Sequence, residues 1–279
     1  MLRKAFDFFL FSSLFISACA LVMVMQTNQL LHLKYDRINY LGYVFCSTIC
    51  SYNFHWYLTP YSVSETDRSA WTQQHRGLHI VFFVAGVLGS IWFFIPFIHE
   101  WFWIGVPIGL TFLYSAPKLP YKPFSLLRKI AIGKTIFLAF VWMYVTSLLP
   151  VLLDEGPISW AAILFCCSRF FLIYAICILF DYRDRENDKR EGIRSMITYL
   201  NEKGINFIFY LSLVLFLLCT LALYTQGFLP LTIIFLLIPG LIVLSLFKKA
   251  KRNFSDYLFY FVLDGLMMFS ALFTFFLRF

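Results

Sequence analysis

The sequence predicts an all-α, polytopic membrane protein, and two observations carry that reading. Hydrophobic residues make up 61% of the 279 positions and charged residues only 14%, whereas a soluble domain is about a quarter charged. Apolar runs long enough to cross a bilayer also recur along the whole chain. Such runs satisfy their backbone groups internally as helices, and the two-residue alternation of a membrane β-barrel is absent.

Nine runs follow in order, at 6–26, 40–58, 78–98, 100–116, 130–153, 158–180, 205–225, 228–247 and 256–278. The first imitates a signal peptide, with Arg3 and Lys4 ahead of it and Ile16-Ser-Ala-Cys19 resembling a lipoprotein cleavage site. Its apolar stretch continues past Cys19 to Met25, so it reads as the first span. The second run ends in the polar stretch Asn53 to Thr59, and His99 and Glu100 separate the third run from the fourth. Lys134 opens the fifth, Arg169 lies near the middle of the sixth, and Asp264 lies in the ninth. The seventh and eighth carry no such residue inside them. One transmembrane domain, 1–279, is expected, with polar connections at 59–77, 117–129, 181–204 and 248–255. The seven cysteines all fall in apolar segments without a Cys-x-x-Cys pair, which suits packing residues.

The formal net charge of +8 is a topology signal. With the N-terminus in the cytoplasm, 18 of the 23 Lys and Arg residues fall on the cytoplasmic side, 3 on the other side and 2 within spans. This asymmetry is the positive-inside pattern and argues against a nucleic-acid partner. A multi-pass protein of a bacterial inner (cell) membrane is expected, with its longer, charged connections facing the cytoplasm.

The sixth run leads directly into Asp181-Tyr-Arg-Asp184-Arg-Glu-Asn-Asp188. Aspartates at i, i+3 and i+7 fall within roughly 60° of each other on a helix. Gathered carboxylates repel unless a positive group sits between them. A hard cation such as Mg²⁺ fits an all-oxygen site, and it commonly bridges to a phosphate.

Other polar residues each carry two readings. Asn53 and His55 suit interhelical hydrogen bonding or a ligand cavity. Lys118 and Lys122, in the proline-rich stretch after Tyr114, suit a diphosphate or anionic headgroups. Lys134 is expected to snorkel to the interface. Arg169 and Asp264 are expected to be structural, and an Arg169–Asp264 pair is one option. His75 and His79 have metal-ligand spacing but no third ligand in view.

These residues together resemble the UbiA superfamily of intramembrane prenyltransferases. Asp181-x-x-Asp184-x-x-x-Asp188-x-x-x-Gly192-Ile-Arg-Ser resembles the family's second Asp-rich motif. Leu113-Tyr-Ser-Ala-Pro117 with its trailing lysines resembles the Tyr-Ser-x-Pro-Pro-x-Arg-x-Lys loop, and Val262-Leu-Asp-Gly-Leu-Met is a weaker echo in the last span. The resemblance implies a helical bundle around a central cavity and transfer of a prenyl group from a prenyl diphosphate to a lipophilic, often aromatic, acceptor. It implies Mg²⁺ held by Asp181, Asp184 and Asp188, with Asp184 and Asp188 catalytic. It also implies diphosphate contacts from Asn53, His55, Tyr114, Lys118 and Lys122.

The chain departs from the family at the first Asp-rich motif. The Asn survives as Asn53, but the three aspartates are replaced by Phe54, Tyr57 and Tyr61, and the loop arginine by Pro120. Two further readings therefore stand beside the transferase: a catalytically impaired protein that binds an isoprenoid or an anionic lipid, and a transporter using Arg169, Asp264 and the acidic edge as a polar path.

Overall fold

The computed structural model describes residues 2–59, 66–115, 133–190 and 195–277. The chain divides into two compact units, Met1–Leu21 with Asp36–Leu127, and Val22–Tyr35 with Arg128–Phe279. Every described element is helical or a turn.

The first unit begins with α1 (Leu2–Phe11) and the start of α2 (Leu14–Leu30), which bend by 61°. The bend falls at Ser12 and Ser13, and Ser13 adopts a left-handed φ of 71°. At the break the Ser13 carbonyl accepts from the Ser17 hydroxyl at 2.9 Å and the Ser13 hydroxyl accepts from Arg68 at 3.5 Å. Next come α3 (Arg37–Tyr57), α4 (Asp67–Gln74), α5 (Arg76–Phe94) and α6 (Trp101–Ser115). Asp36 caps α3 by accepting from the Asn39 amide, and Thr66 and Ser69 close a capping box on α4. A short 3₁₀ stretch, Ile95–Glu100, joins α5 to α6, with Pro96 at its start and Phe97 outside helical geometry.

The α3–α5 contact is close because glycines face cysteines. A Cβ on Gly86 would lie 2.8 Å from the Cys46 carbonyl oxygen and 2.8 Å from the Cys50 nitrogen. Small residues permit this approach between apolar helices, where van der Waals contact replaces the hydrophobic drive. The other faces of α5 and α6 present Leu88, Trp92 and Trp101 outward, as lipid-facing helices do.

The second unit is organised on α8 (Trp160–Arg190), which packs against α7 (Lys134–Leu152), α10 (Glu202–Ala222) and α11 (Pro230–Ala250). The one-turn α9 (Met196–Tyr199) precedes α10, and the chain ends in α12 (Leu258–Met268) and α13 (Ala271–Thr274). Two π-helical turns interrupt the regular pattern, Tyr144–Leu148 in α7 and Leu258–Leu263 in α12. A Cβ on Gly240 would collide with the Phe216 ring, so glycine is what lets α11 lie against α10.

The sequence predicts nine crossings. Among the described residues five helices are long and apolar enough to cross a membrane, or six when the bent α1–α2 pair counts as one. The difference has local causes. The second run is helical over its length as α3, but Ser, Thr, Asn and His lower its hydropathy. The third and fourth form one continuous apolar stretch, Arg76–Ser115. The ninth is broken into short pieces by the π turn and the step between α12 and α13.

Candidate active site at the acidic end of α8

Helix α8 has 31 residues. At 1.5 Å per residue it outruns the roughly 20 residues that a bilayer core needs, so about ten residues project beyond the apolar stretch. Those are the residues from Asp181 to Arg190, and Lys189 and Arg190 in the last turn complement the helix dipole.

Three neighbours hold this projection, each reading a different face. On the first, Asp181 and Asp188 lie two turns apart and both are buried. They face Lys134, whose ammonium is 3.5 Å from Asp188 Oδ2 and 3.9 Å from Asp181 Oδ1. The Thr135 hydroxyl donates to Asp181 Oδ2. Lys134 and Thr135 stand at the start of α7, so this helix end is built against the carboxylates.

On the second face Arg183 anchors the start of α12. Its Nε donates to Asp184 Oδ1 at 2.8 Å, and a terminal nitrogen donates to the Tyr260 hydroxyl at 2.9 Å. Its guanidinium stacks over Phe259 and Tyr260 at 4.6 and 4.9 Å and lies 3.9 Å from buried Asp256. Tyr260 sits in the π turn of α12, a distortion that often accompanies function. On the third face Tyr182 and Arg185 both reach Glu202 at the start of α10, at 3.1 and 3.2 Å. Lys251 closes that group at 2.5 Å from Glu202.

The aspartates read from sequence thus separate into a buried pair around Lys134 and a third, Asp184, held by Arg183. Lys134 corrects an expectation: it does not snorkel, because two buried carboxylates within reach offer its charge a better partner than the interface. Among the described residues no three His, Cys, Asp or Glu side chains are grouped to hold a metal by themselves. Two carboxylates converging on one point of positive charge nevertheless fit Mg²⁺, which commonly uses one or two carboxylates and completes its shell with water and substrate phosphate.

In the first unit the remains of the first motif are fully engaged. Asn53 is buried, and its amide donates to the Ser12 carbonyl at 3.1 Å and the Ile49 carbonyl at 2.9 Å. His79 Nδ1 donates to Asn53 Oδ1 at 2.6 Å, so His79 is a hydrogen-bond partner here. His75 stacks on Trp71 with ring centres 4.3 Å apart. Phe54, in a family aspartate position, stacks on Phe83 at 5.3 Å, and Tyr57 carries the Arg76 guanidinium at 5.0 Å. His55 meets the end of α6: its ring stacks on Tyr114 at 5.3 Å and its Nδ1 pairs with the Ser115 hydroxyl at 3.4 Å. Sequence reasoning named His55 and Tyr114 separately, and the fold brings them together. Tyr61, Lys118, Lys122 and Gly192 lie outside the described residues.

The family model described as the UbiA prenyltransferase family matches residues 4–270. The chain belongs to the UbiA prenyltransferase family. No curated protein and no solved structure gives a significant match. Family membership and the apolar helices together make it an integral, multi-pass membrane protein. The UbiA match runs through both units and includes the acidic projection of α8.

Sequence reasoning missed several residues that this structure brings into play. Thr135 and Tyr260 carried no motif. Gln26 looked like an ordinary helix residue, yet its Oε1 accepts from the Arg169 guanidinium at 2.8 Å. Ser270 also accepts from Arg169, at 3.0 Å, so the recorded partners of that buried cation are neutral. No sequence signal paired them, since Gln26 closes the first apolar run while Arg169 lies near the middle of the sixth.

Proposed function

We propose that this UbiA-family protein transfers a prenyl group from a prenyl diphosphate to a lipophilic acceptor, using the acidic end of α8 to hold a magnesium diphosphate on the cytoplasmic side of the membrane. The observation that carries the reading is the buried pair Asp181 and Asp188, converging on one cation at 3.9 and 3.5 Å. Burial pushes both carboxyls upward, Asp188 to about 6, with the Lys134 ammonium opposing the shift, and such a buried acidic pair gains from a cationic ligand.

When bound, Mg²⁺ would neutralise the charge that builds on the departing diphosphate. Asp181 and Asp188 would hold it, with Asp184 beside them. The Thr135 hydroxyl fixes one Asp181 oxygen and leaves the other toward the ligand side. Arg183 keeps the α8 projection in place by tying it to Tyr260 and Asp256. Diphosphate contacts from Asn53, His55, Tyr114, Lys118 and Lys122 belong to the same proposal.

Purified protein supplied with Mg²⁺, a radiolabelled prenyl diphosphate and a panel of aromatic and lipid acceptors should form a labelled apolar product. Asp181→Asn or Asp188→Asn should abolish it. Product formation unchanged by both substitutions would refute the assignment.

A second reading has its own observation. Asn53 already makes three hydrogen bonds, and Phe54 is stacked where the family has an aspartate. That arrangement supports a protein that binds a prenyl diphosphate without turning it over. Stable retention of intact labelled diphosphate through purification, with no product against any acceptor, would favour it.

A further inference from the structure

We infer that Lys134 is a built-in competitor of the divalent ion, holding Asp181 and Asp188 until a diphosphate draws its ammonium away. The inference rests on the proposal that this acidic edge takes magnesium with a diphosphate, and adds the order in which the charges exchange.

The geometry is specific. Asp181 and Asp188 are separated by two helical turns and both side chains are only 8% exposed. Lys134 is 23% exposed, so its ammonium sits between a buried acidic face and the more open side. It reaches oxygens of both carboxylates, at 3.9 and 3.5 Å. Thr135, its chain neighbour, binds the other oxygen of Asp181, which keeps that carboxylate turned toward the start of α7. When both carboxyls are ionised, one ammonium offsets half of their charge, so the site retains an appetite for further positive charge.

A divalent ion settling on the same oxygens meets the ammonium at short range. Like charges a few ångströms apart in a partly buried site repel strongly. The ion therefore binds weakly unless Lys134 leaves. A diphosphate changes the balance, because its oxygens give the ammonium a new partner while adding ligands to the metal. Metal and diphosphate then bind as a linked pair, and each raises the affinity of the other. Lys134 acts on the metal through the carboxylates, which makes it a positioning residue.

The test uses full-length protein in detergent and Mn²⁺ as a spectroscopic substitute for Mg²⁺, with binding followed by electron paramagnetic resonance. Without diphosphate, Lys134→Met should bind Mn²⁺ roughly tenfold more tightly than wild type. Lys134→Arg, which keeps the charge, should stay near wild type. Adding methylenediphosphonate should shrink the difference between Lys134→Met and wild type. Wild-type protein offers a second readout that needs no variant. Acylation of Lys134, followed by mass spectrometry of its peptide, should rise when Mn²⁺ is added and fall again with the diphosphonate.

Equal Mn²⁺ affinity in wild type and Lys134→Met, with binding still lost in Asp188→Asn, overturns this inference and leaves the metal site standing. No Mn²⁺ binding by any form overturns both. Should Lys134→Met fail to fold, unchanged wild-type labelling across the three conditions is itself the overturning result.

Discussion

The buried cation Arg169 supports a counterintuitive prediction: removing it should cost less than removing its partner. Arg169 lies at the middle of the sixth apolar run, is buried, and donates to Gln26 at 2.8 Å and Ser270 at 3.0 Å. Hydrogen bonds between membrane helices average about 0.6 kcal/mol and reach about 1.7 kcal/mol, so Arg169→Met forfeits about 1–3 kcal/mol. The same substitution recovers the cost of a cation at the helix centre, about 2.5–3.5 kcal/mol. The two terms nearly cancel, and Arg169→Met should fall within about 1 kcal/mol of wild type. Gln26→Leu behaves differently. It strips the guanidinium of an acceptor and breaks the amide's bonds to Ser270 and Thr274, at 3.2 and 2.9 Å. A buried charge that loses its partner costs about 3–5 kcal/mol. The double variant should resemble Arg169→Met alone, giving a coupling near 3 kcal/mol, at the upper end of what contacting residues show. Denaturation in mixed detergent micelles, followed by tryptophan fluorescence, measures all four corners. Equal losses for the two single variants, with simple addition in the double, would refute the reasoning.

Three further outcomes are expected. Asp188→Asn should lower labelled prenyl transfer by about a hundredfold or more, and Asp184→Asn by less, because Arg183 already holds the Asp184 carboxylate; steady-state rates at saturating Mg²⁺ check the order. Removal of divalent ions with EDTA should abolish transfer, with recovery on Mg²⁺ but not Ca²⁺, whose larger coordination shell suits a compact carboxylate pair poorly. Gly86→Ala should destabilise by about 1–3 kcal/mol through overpacking, since its Cβ would lie 2.8 Å from backbone atoms of α3. Gly105→Ala, with nothing within 4 Å of its Cβ, is the matched control and should be neutral or slightly stabilising in the same denaturation assay.

Much of the site was legible residue by residue and little of it pair by pair. The acidic motif could be read because an aspartate spacing of i, i+3 and i+7 on one helix is a property of sequence and helix period alone. Which of the three aspartates shares a cation could not be read, because that depends on where the start of α7 docks. Lys134 shows the gap most clearly. One lysine near the end of an apolar run reads as snorkelling, and only packing against α8 makes its nearest neighbours two carboxylates. Asn53 shows the converse. Its survival within a degraded motif suggests a retained ligand, but the bend at Ser12 and Ser13 brings a free carbonyl to its amide, and His79 meets its oxygen.

Composition and apolar periodicity determined that this chain is helical and membrane-embedded, and local motifs determined its family, because both follow from side-chain transfer energies and short-range spacing. The lysine-bound pair on the acidic edge and the neutral partners of Arg169 were decided by tertiary structure. Each depends on residues more than forty positions apart meeting at ångström range, and such meetings leave no periodic trace along the chain.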